Sequence, residues 1–213
     1  MSHLIAGAAC TDITPRRPQF LHGYPYVERM SEGVNDRLLS SALYLADGDQ
    51  QIMLITNDLL YVCKDSTSRI RKEILKKVNV PEKNILVAAT HTHSGPVTID
   101  CAISMNDPVI QPVDQEYLRY FEAQAVQAAC EAFRKAVPAQ ISFAIADSTG
   151  VGTNRRDPSW ASDPEVPLII IKDIEGEYIA YMMVCSMHPT VLHEDSKLFS
   201  GDFPAYTREI LQK

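Results

Sequence analysis

The sequence predicts an α/β fold in which a mixed parallel and antiparallel sheet is covered by helices. Three kinds of segment lead to this prediction: two hairpin patterns, two stretches with apolar residues at helical spacing, and short apolar runs of a strand's length. Because helices alternate with hairpins along the chain, both parallel and antiparallel strand pairs are expected in one sheet.

The first hairpin and the first helix lie in the N-terminal half. The segment "SALYLADGDQQIMLITNDL" places two apolar runs around Asp47 and Gly48, which is a hairpin pattern. A helix is then expected to be capped by Asp65 or Ser66 and to end before Pro81. Its core face is marked by apolar residues at helical spacing: Ile70, Ile74 and Val78. The apolar run "NILVAAT", short enough for a buried strand, follows.

The second half begins with a longer helix, which opens near Asp114 and stops before Pro138. Its predicted core face consists of Leu118, Phe121, Ala125, Ala128 and Ala132. The strand "QISFAIA" follows, with alternate residues on one face, and the last strands form a second hairpin that turns near Glu175 and Gly176. Three long segments rich in Pro, Gly, Asn or Asp are loops of the kind that tend to carry function: residues 14–37, 94–113 and 148–166.

Composition limits the classes of function. A chain of 213 residues with 46% hydrophobic and 22% charged residues is expected to form a single α/β domain over residues 1–213. A net charge of −7 without a basic cluster argues against nucleic acid as a partner. No apolar run is long enough to cross a bilayer, and no secretory signal is visible. We therefore expect a cytoplasmic protein, or a secreted one if a signal has been removed, and the composition leaves small molecules and proteins as partners.

The five cysteines are widely spaced and contain no C-x-x-C pair, which argues against a disulfide framework or a thiolate metal site. Most are expected to be small buried residues, with Cys101 the most exposed.

The stretch "AATHTHSGP" contains the strongest candidate for a metal site. If the strand "NILVAAT" runs on through Thr92, His91 and His93 point to the same side at its carboxyl end, where ligands bind in open α/β sheets. Imidazole nitrogens suit zinc, but a catalytic zinc needs a third protein ligand. His188, after an apolar strand and before Pro189, is the best further candidate. The alternative is a hydrogen-bonded histidine beside a solvated one.

The remaining histidines and two aspartates are weaker candidates. His3 and His193 are expected to have no special role, and His193 is expected to be exposed. Asp58 ends an apolar strand and could bind a metal, orient an imidazole or cap a turn. Asp202 at a Gly-Asp turn is expected to cap a helix.

Several blocks together resemble the N-terminal part of the catalytic domain of the neutral/alkaline (non-lysosomal) ceramidase family. The resemblance covers essentially the whole chain. In chain order, the blocks that carry it are "AGAACTDITP", "LHGY", "GVNDRLLSSALYLADG", "ITNDLL", "AATHTHSGP", "TNRRDP", "MHPTVL" and "FSGDFPAY". "THTHSGP" and the "HPT" of "MHPTVL" are specific in combination.

The resemblance implies a zinc-dependent hydrolase of linear amide bonds that acts on an N-acyl amide or lipid-like substrate. By the family pattern, His91 and His188 bind Zn²⁺, and His93 faces the scissile amide. Arg155 of "TNRRDP" approaches the polar head of the substrate, and Gly23 of "LHGY" lines the pocket. Zinc polarises a carbonyl, a neutral histidine transfers protons and a guanidinium stabilises an oxyanion, so these roles are mutually consistent.

The family's other zinc ligands, a glutamate and a tyrosine, and its serine-bearing segment do not occur in this sequence. The chain is therefore expected to be a fragment of a longer protein or a shortened relative. Two alternatives remain open, a zinc hydrolase of esters or other acyl compounds and a non-catalytic relative that binds a ligand. Self-association into a homo-oligomer is also possible.

Overall fold

The computed structural model describes residues 4–100 and 106–212. The helices of these segments are α1 (Lys64–Lys77), α2 (Gln115–Arg134) and α3 (Phe203–Leu211), with a short 3₁₀ turn at Glu82–Asn84. The longer strands are β1 (Leu4–Asp12), β4 (Leu39–Asp47), β5 (Gln50–Asn57), β6 (Ile85–Ala89), β8 (Val137–Asp147), β9 (Glu165–Asp173) and β10 (Tyr178–Met183). Four two-residue strands are β2 (Leu21–His22), β3 (Gly33–Val34), β7 (Gly95–Pro96) and β11 (Leu198–Phe199).

The seven longer strands form one mixed sheet in the order β10-β9-β8-β1-β4-β5-β6. β5 and β6 pair in parallel, whereas the other neighbours in this sheet pair antiparallel. The two predicted hairpins are the β4–β5 and β9–β10 pairs, whose turns use Gly48 and Gly176 at positive φ. The predicted fold class, a mixed sheet with helices, is confirmed.

β8 joins the rest of the sheet through a narrow seam. Two residue pairs connect it with β1, namely Ile5 with Pro138 and Ala6 with Val137. From this seam the strand continues for nine more residues and pairs with β9 along Ala139–Asp147. The three strands β8, β9 and β10 therefore extend the sheet from one end of β8.

α1 and α2 pack on one face of the sheet and enclose the main core. α2 lies against β1, β4 and α1. All the residues predicted to form its core face are buried, as are the three predicted for α1. The predicted strand with Ile141, Phe143 and Ile145 on one face is also present, but Phe143 is 78% exposed and Ile145 65% exposed. A smaller apolar cluster on the sheet contains Ala6, Leu43, Ala139 and Ile171.

The helix caps were predicted with mixed success. Asp114 caps α2, because its side chain accepts hydrogen bonds from the amides of Glu116 and Tyr117. The prediction for α1 is wrong, since the helix begins after Cys63, whose sulfur accepts from the amide of Ser66 at 3.4 Å. The Ser66 hydroxyl instead donates to Glu122 of α2 at 2.6 Å, which uses it in helix packing.

None of the helices in residues 4–100 and 106–212 is both long and apolar enough to cross a bilayer. The prediction that most cysteines are buried is wrong for those in the described residues: Cys130 is buried, Cys63 and Cys185 are half-buried, and Cys10 is exposed. Cys101, expected to be the most exposed cysteine, lies outside the described residues, as does His3.

Candidate metal centre

His91 and His93 come just after the carboxyl end of β6. They lie beside the residues that follow its parallel neighbour, β5. The predicted continuation of the strand through Thr92 is wrong, because β6 ends at Ala89 and His91 has a positive φ of +69°. Such a conformation is uncommon outside glycine. Backbone hydrogen bonds stabilise it, with the amide of Thr90 donating to Asn57 at 2.9 Å and that of His91 to Leu59 at 3.0 Å. A tight turn, rather than an extended strand, therefore brings the two histidines together.

The ring of His91 is oriented by the main chain of the β5 side. Its Nδ1 lies 2.9 Å from the carbonyl oxygen of Leu60. Because a carbonyl oxygen can only accept, Nδ1 carries the proton, and the Nε2 lone pair is left available for a metal. Metal-binding histidines are commonly oriented by such an outer hydrogen bond.

His188 reaches the same place from the other half of the sheet. It lies five residues beyond β10, in an irregular segment rather than directly at a strand end. Its Nε2 is 2.7 Å from Nε2 of His93, and its ring stacks on that of His91 with 5.0 Å between centroids. His91, His93 and His188 each offer a ring nitrogen, and these atoms all lie within 4.8 Å of one another, so the three side chains could hold a metal ion.

The lowered pKa values of His93 and His188 favour the binding of a cation. Burial, with smaller contributions from His188 and His91, lowers the pKa of His93 to about 4, and a backbone hydrogen bond with Gly23 acts in the opposite direction. Burial, together with His91 and Arg155, also lowers the pKa of His188. His93 is therefore neutral at pH 7 and His188 is shifted in the same direction, which is the protonation state that metal binding requires.

Gly23 lies directly against the ring of His93. It has a φ of +134°, and a Cβ atom at this position would be 2.5 Å from both Cγ and Nδ1 of the imidazole. A side chain would therefore have to displace the His93 ring. The structure thus brings Gly23, predicted to line the pocket, into contact with the histidine cluster.

Arg155 and His188 line one cleft of about 450 Å³, which also includes Asn154, Asp163, Met187 and Thr190. Arg155 is exposed. Within the described part of the chain it has no ion-pair or hydrogen-bond partner, although its charge is close enough to lower the pKa of His188. All five predicted site residues, His91, His93, His188, Arg155 and Gly23, consequently lie at the cluster or in the adjoining cleft.

The two aspartates have structural positions. Asp202 caps α3, as predicted, and its carboxylate also accepts from the amides of Val191 at 3.3 Å and Leu192 at 2.9 Å. It thereby anchors the segment that follows His188. Asp58 is buried and bonded to Arg208 of α3 through both carboxylate oxygens, at 3.0 and 2.5 Å, so it is neither at the cluster nor orienting an imidazole.

Three residues beside the cluster were missed in the sequence. His22 is buried next to His91, and burial followed by the His91 charge lowers its pKa to about 4. Tyr24 packs edge-on against the His93 ring, with 5.1 Å between centroids. Arg29 is 1% exposed and donates to the carbonyl of His93 at 2.8 Å. The position of His22 beside Gly23 was a usable signal, but nothing in the loop sequence indicates that Arg29 is buried. His193, by contrast, is exposed as predicted.

Comparisons with known proteins agree on one family. A family model described as neutral/alkaline non-lysosomal ceramidase, N-terminal, matches residues 4–212. Neutral ceramidase B of Dictyostelium discoideum is 23% identical over 236 residues, which cover 97% of this chain and 31% of that protein.

Two solved structures share the fold. The crystal structure of neutral ceramidase from Pseudomonas aeruginosa superimposes with a TM-score of 0.85 at 19% identity, over 95% of this chain and 35% of that one. A ceramidase complexed with C2 gives a TM-score of 0.84 at 19% identity, over 95% of this chain and 34% of that one. The chain spans about a third of the length of the relatives it matches.

Proposed function

Because the chain belongs to the neutral/alkaline non-lysosomal ceramidase family, we propose that it supplies the histidine part of a zinc site that hydrolyses a linear amide bond. The observation that carries the proposal is the convergence of His91, His93 and His188, whose ring nitrogens lie within 4.8 Å of one another. Imidazole nitrogens gathered in this way are a donor set typical of zinc.

His91 and His188 would hold the zinc. The Leu60 carbonyl keeps the proton of His91 on Nδ1, and Asp202 holds the segment after His188 through two amides. When bound there, zinc supplies Lewis-acid polarisation of the carbonyl that is attacked.

His93 would transfer protons. Burial keeps it neutral at pH 7, with a pKa of about 4, so a ring nitrogen is free to accept a proton. Once protonated, such a ring is a stronger acid than an ordinary imidazolium, and it can pass the proton to the leaving nitrogen of an amide.

Arg155 would bind the polar end of the substrate or stabilise the negative charge that develops on its carbonyl oxygen. Its guanidinium stands in the cleft beside His188 without an acidic partner in the described residues. Such a cation is available for a ligand, whereas one already held in an ion pair is not.

The substrate would be an N-acyl amide of the ceramide class. Family membership and the names of the matched relatives support this class, and one of the solved relatives is described as complexed with C2. We also propose that residues 1–213 form one α/β domain equivalent to the N-terminal portion of such a catalytic domain. Self-association and a cytoplasmic location stay predictions.

Zinc content tests the metal site. With zinc added, the protein is expected to bind about one zinc per chain by elemental analysis, more weakly than a site with three or four protein ligands. His91→Ala and His188→Ala should each lose the metal, whereas His193→Ala, which removes an exposed histidine, should retain it. A wild-type protein that stays metal-free in added zinc would contradict the zinc site and favour a ligand-binding relative.

Activity separates the roles within the cluster. His93→Gln is expected to keep the zinc and lose hydrolysis of a fluorogenic N-acyl amide. The substitution removes the residue that transfers protons but leaves both metal ligands in place. Loss of zinc in this variant would instead make His93 the third metal ligand. A matched ester should be assayed alongside, and cleavage of the ester with no cleavage of the amide would overturn the amide assignment.

A further inference from the structure

Arg29 is the most deeply buried arginine beside the cluster, and the mechanism above does not use it. It lies in the loop between β2 and β3 and is 1% exposed. Its Nη1 donates to the carbonyl oxygen of His93 at 2.8 Å, and its Nε donates to that of Ser196 at 3.0 Å. A weaker contact joins Nη2 to the Ser94 hydroxyl at 3.4 Å.

The two carbonyls belong to separate parts of the chain. His93 follows β6, whereas Ser196 lies in the segment that follows His188, the other histidine of the close ring contact. Because a guanidinium is planar and rigid, donors on two of its nitrogens fix the distance and angle between their two acceptors. One buried side chain therefore bridges the two segments that carry the cluster.

A second contact reinforces this bridge. The Arg29 guanidinium lies over the ring of Tyr24, 4.8 Å from its centroid. Tyr24 packs edge-on against His93 and donates its hydroxyl to the Leu192 carbonyl at 2.9 Å. Tyr24 thus connects the same two segments, and Arg29 orients its ring.

An ion pair does not account for the position of Arg29. Among the described residues no carboxylate lies within salt-bridge distance of it. Burial lowers the pKa of Arg29, and the carboxylates that oppose this shift, Asp195 and Glu194, belong to exposed residues. The buried charge is satisfied by carbonyl oxygens and an aromatic ring, which indicates a geometric role.

We propose that Arg29 is a positioning residue that sets the separation of the His93 and His188 rings by clamping their two segments together. This inference deepens the proposed function and rests on it for the effect on metal binding. The ring separation itself does not depend on the metal.

The first test uses metal-free protein. Arg29→Met removes the bridge and Arg29→Lys keeps the charge but cannot donate to both carbonyls in the same way. Arg71→Met is the matched control, because Arg71 donates to the Ile85 carbonyl at 2.8 Å away from the cluster. In NMR spectra, the nuclear Overhauser contact between the His93 and His188 rings should weaken or vanish in both Arg29 variants and persist in the control.

The second test adds Co²⁺ as a spectroscopic probe of the site. Both Arg29 variants are expected to bind it about 10–100-fold more weakly than wild type, the usual effect of losing an outer-sphere support, with Arg71→Met unchanged. If Arg29→Met does not fold, Arg29→Lys decides.

The outcomes are separable. Retention of the ring contact in a folded Arg29 variant would overturn the proposal, and retention in Arg29→Lys alone would show that charge, not bridging, is what matters. If wild type itself binds no Co²⁺, the zinc function fails, while the ring contact still decides whether Arg29 sets the geometry.

Discussion

Gly23 determines whether the His93 ring can take its position. Gly23→Ala is expected to destabilise the protein by about 2–4 kcal/mol, since it combines a strained positive φ with overpacking against the imidazole. Gly48→Ala is the control, because Gly48 has a φ of +60° but open space around it. That variant should lower the free energy of unfolding by about 1 kcal/mol, from backbone strain alone. Equal costs in urea unfolding would mean that the contact with His93 is unimportant.

The buried histidines should make the stability of the metal-free protein depend on pH. The pKa values of His22 and His93 are lowered from 6.5 to about 4 in the folded state. Their stabilising contribution is therefore fully present above pH 6.5 and is lost as the pH falls toward 4, because the unfolded chain takes up protons first. The loss should be on the order of 1–3 kcal/mol per histidine.

Urea unfolding between pH 4 and 7.5, in the presence of a chelator, measures this effect. His93→Gln should flatten the profile, and His193→Gln, at an exposed position, should leave it as in wild type. Identical profiles for all three proteins would contradict the assignment.

At the scale of single residues, the sequence predicts the site residues that belong to short motifs. His91 and His188 could be predicted to share one cluster because each follows an apolar strand and because the motifs resemble a family, although neither lies directly at a strand end. Arg29 could not be found, since an arginine in a polar loop is ordinarily solvated. Its burial depends on carbonyls more than sixty residues away in the chain.

At the scale of elements, α3 is attached to the end of β5 by the pair between Asp58 and Arg208, whose side chains are 1% and 27% exposed. Arg208→Met should lower the free energy of unfolding by about 3 kcal/mol, because it leaves a buried carboxylate without its partner. Lys197→Met breaks an exposed pair with Glu32 and should cost under about 1 kcal/mol. Chemical denaturation of both variants makes the comparison, and similar losses would show that burial of the pair is immaterial.

The spacing of apolar residues predicted which segments are helices and which are strands. It did not predict the residues at which these elements begin and end. Asp114 caps α2 as predicted, because an Asp before an apolar stripe is a strong local signal. The ends of α1 and β6 were misplaced. Ser66 was drawn into a contact with Glu122 on another helix, and His91 adopts a left-handed conformation that only its surroundings stabilise.

On the scale of the whole molecule, β8 exposes large apolar side chains to solvent. Phe143 and Ile145 share a face, opposite Ile169 and Pro167 of β9. The double variant Phe143→Ser/Ile145→Ser should therefore reduce the fluorescence of bound anilinonaphthalene sulfonate with little change in stability. Ile174→Ser, at an isoleucine that is 62% exposed near the β9–β10 turn, should not reduce it. Undiminished dye binding in the double variant would place the open surface elsewhere.

The mixed sheet could be predicted from the order of hairpins and helices, because each of these patterns is contained in a short stretch of sequence. The strand order did not, nor did the exposure of Phe143, because an alternating strand shows which residues share a face but not what covers that face.

Because β8 pairs with β1 over two residues, we expect bending of the molecule to occur at this seam. The ladder between β1 and β8 has two residue pairs, the other attachment of β8–β10 is the small apolar cluster around Ala6 and Ile171, and His188 lies beyond β10. A rotation of a few degrees at the seam would be amplified along β8 and would change the distance between His188 and the two histidines that follow β6. A zinc ion held by His188 and His91 would restrain that motion. Its release should then appear as microsecond-to-millisecond exchange at the amides of Ala6 and Val137 while every strand remains folded.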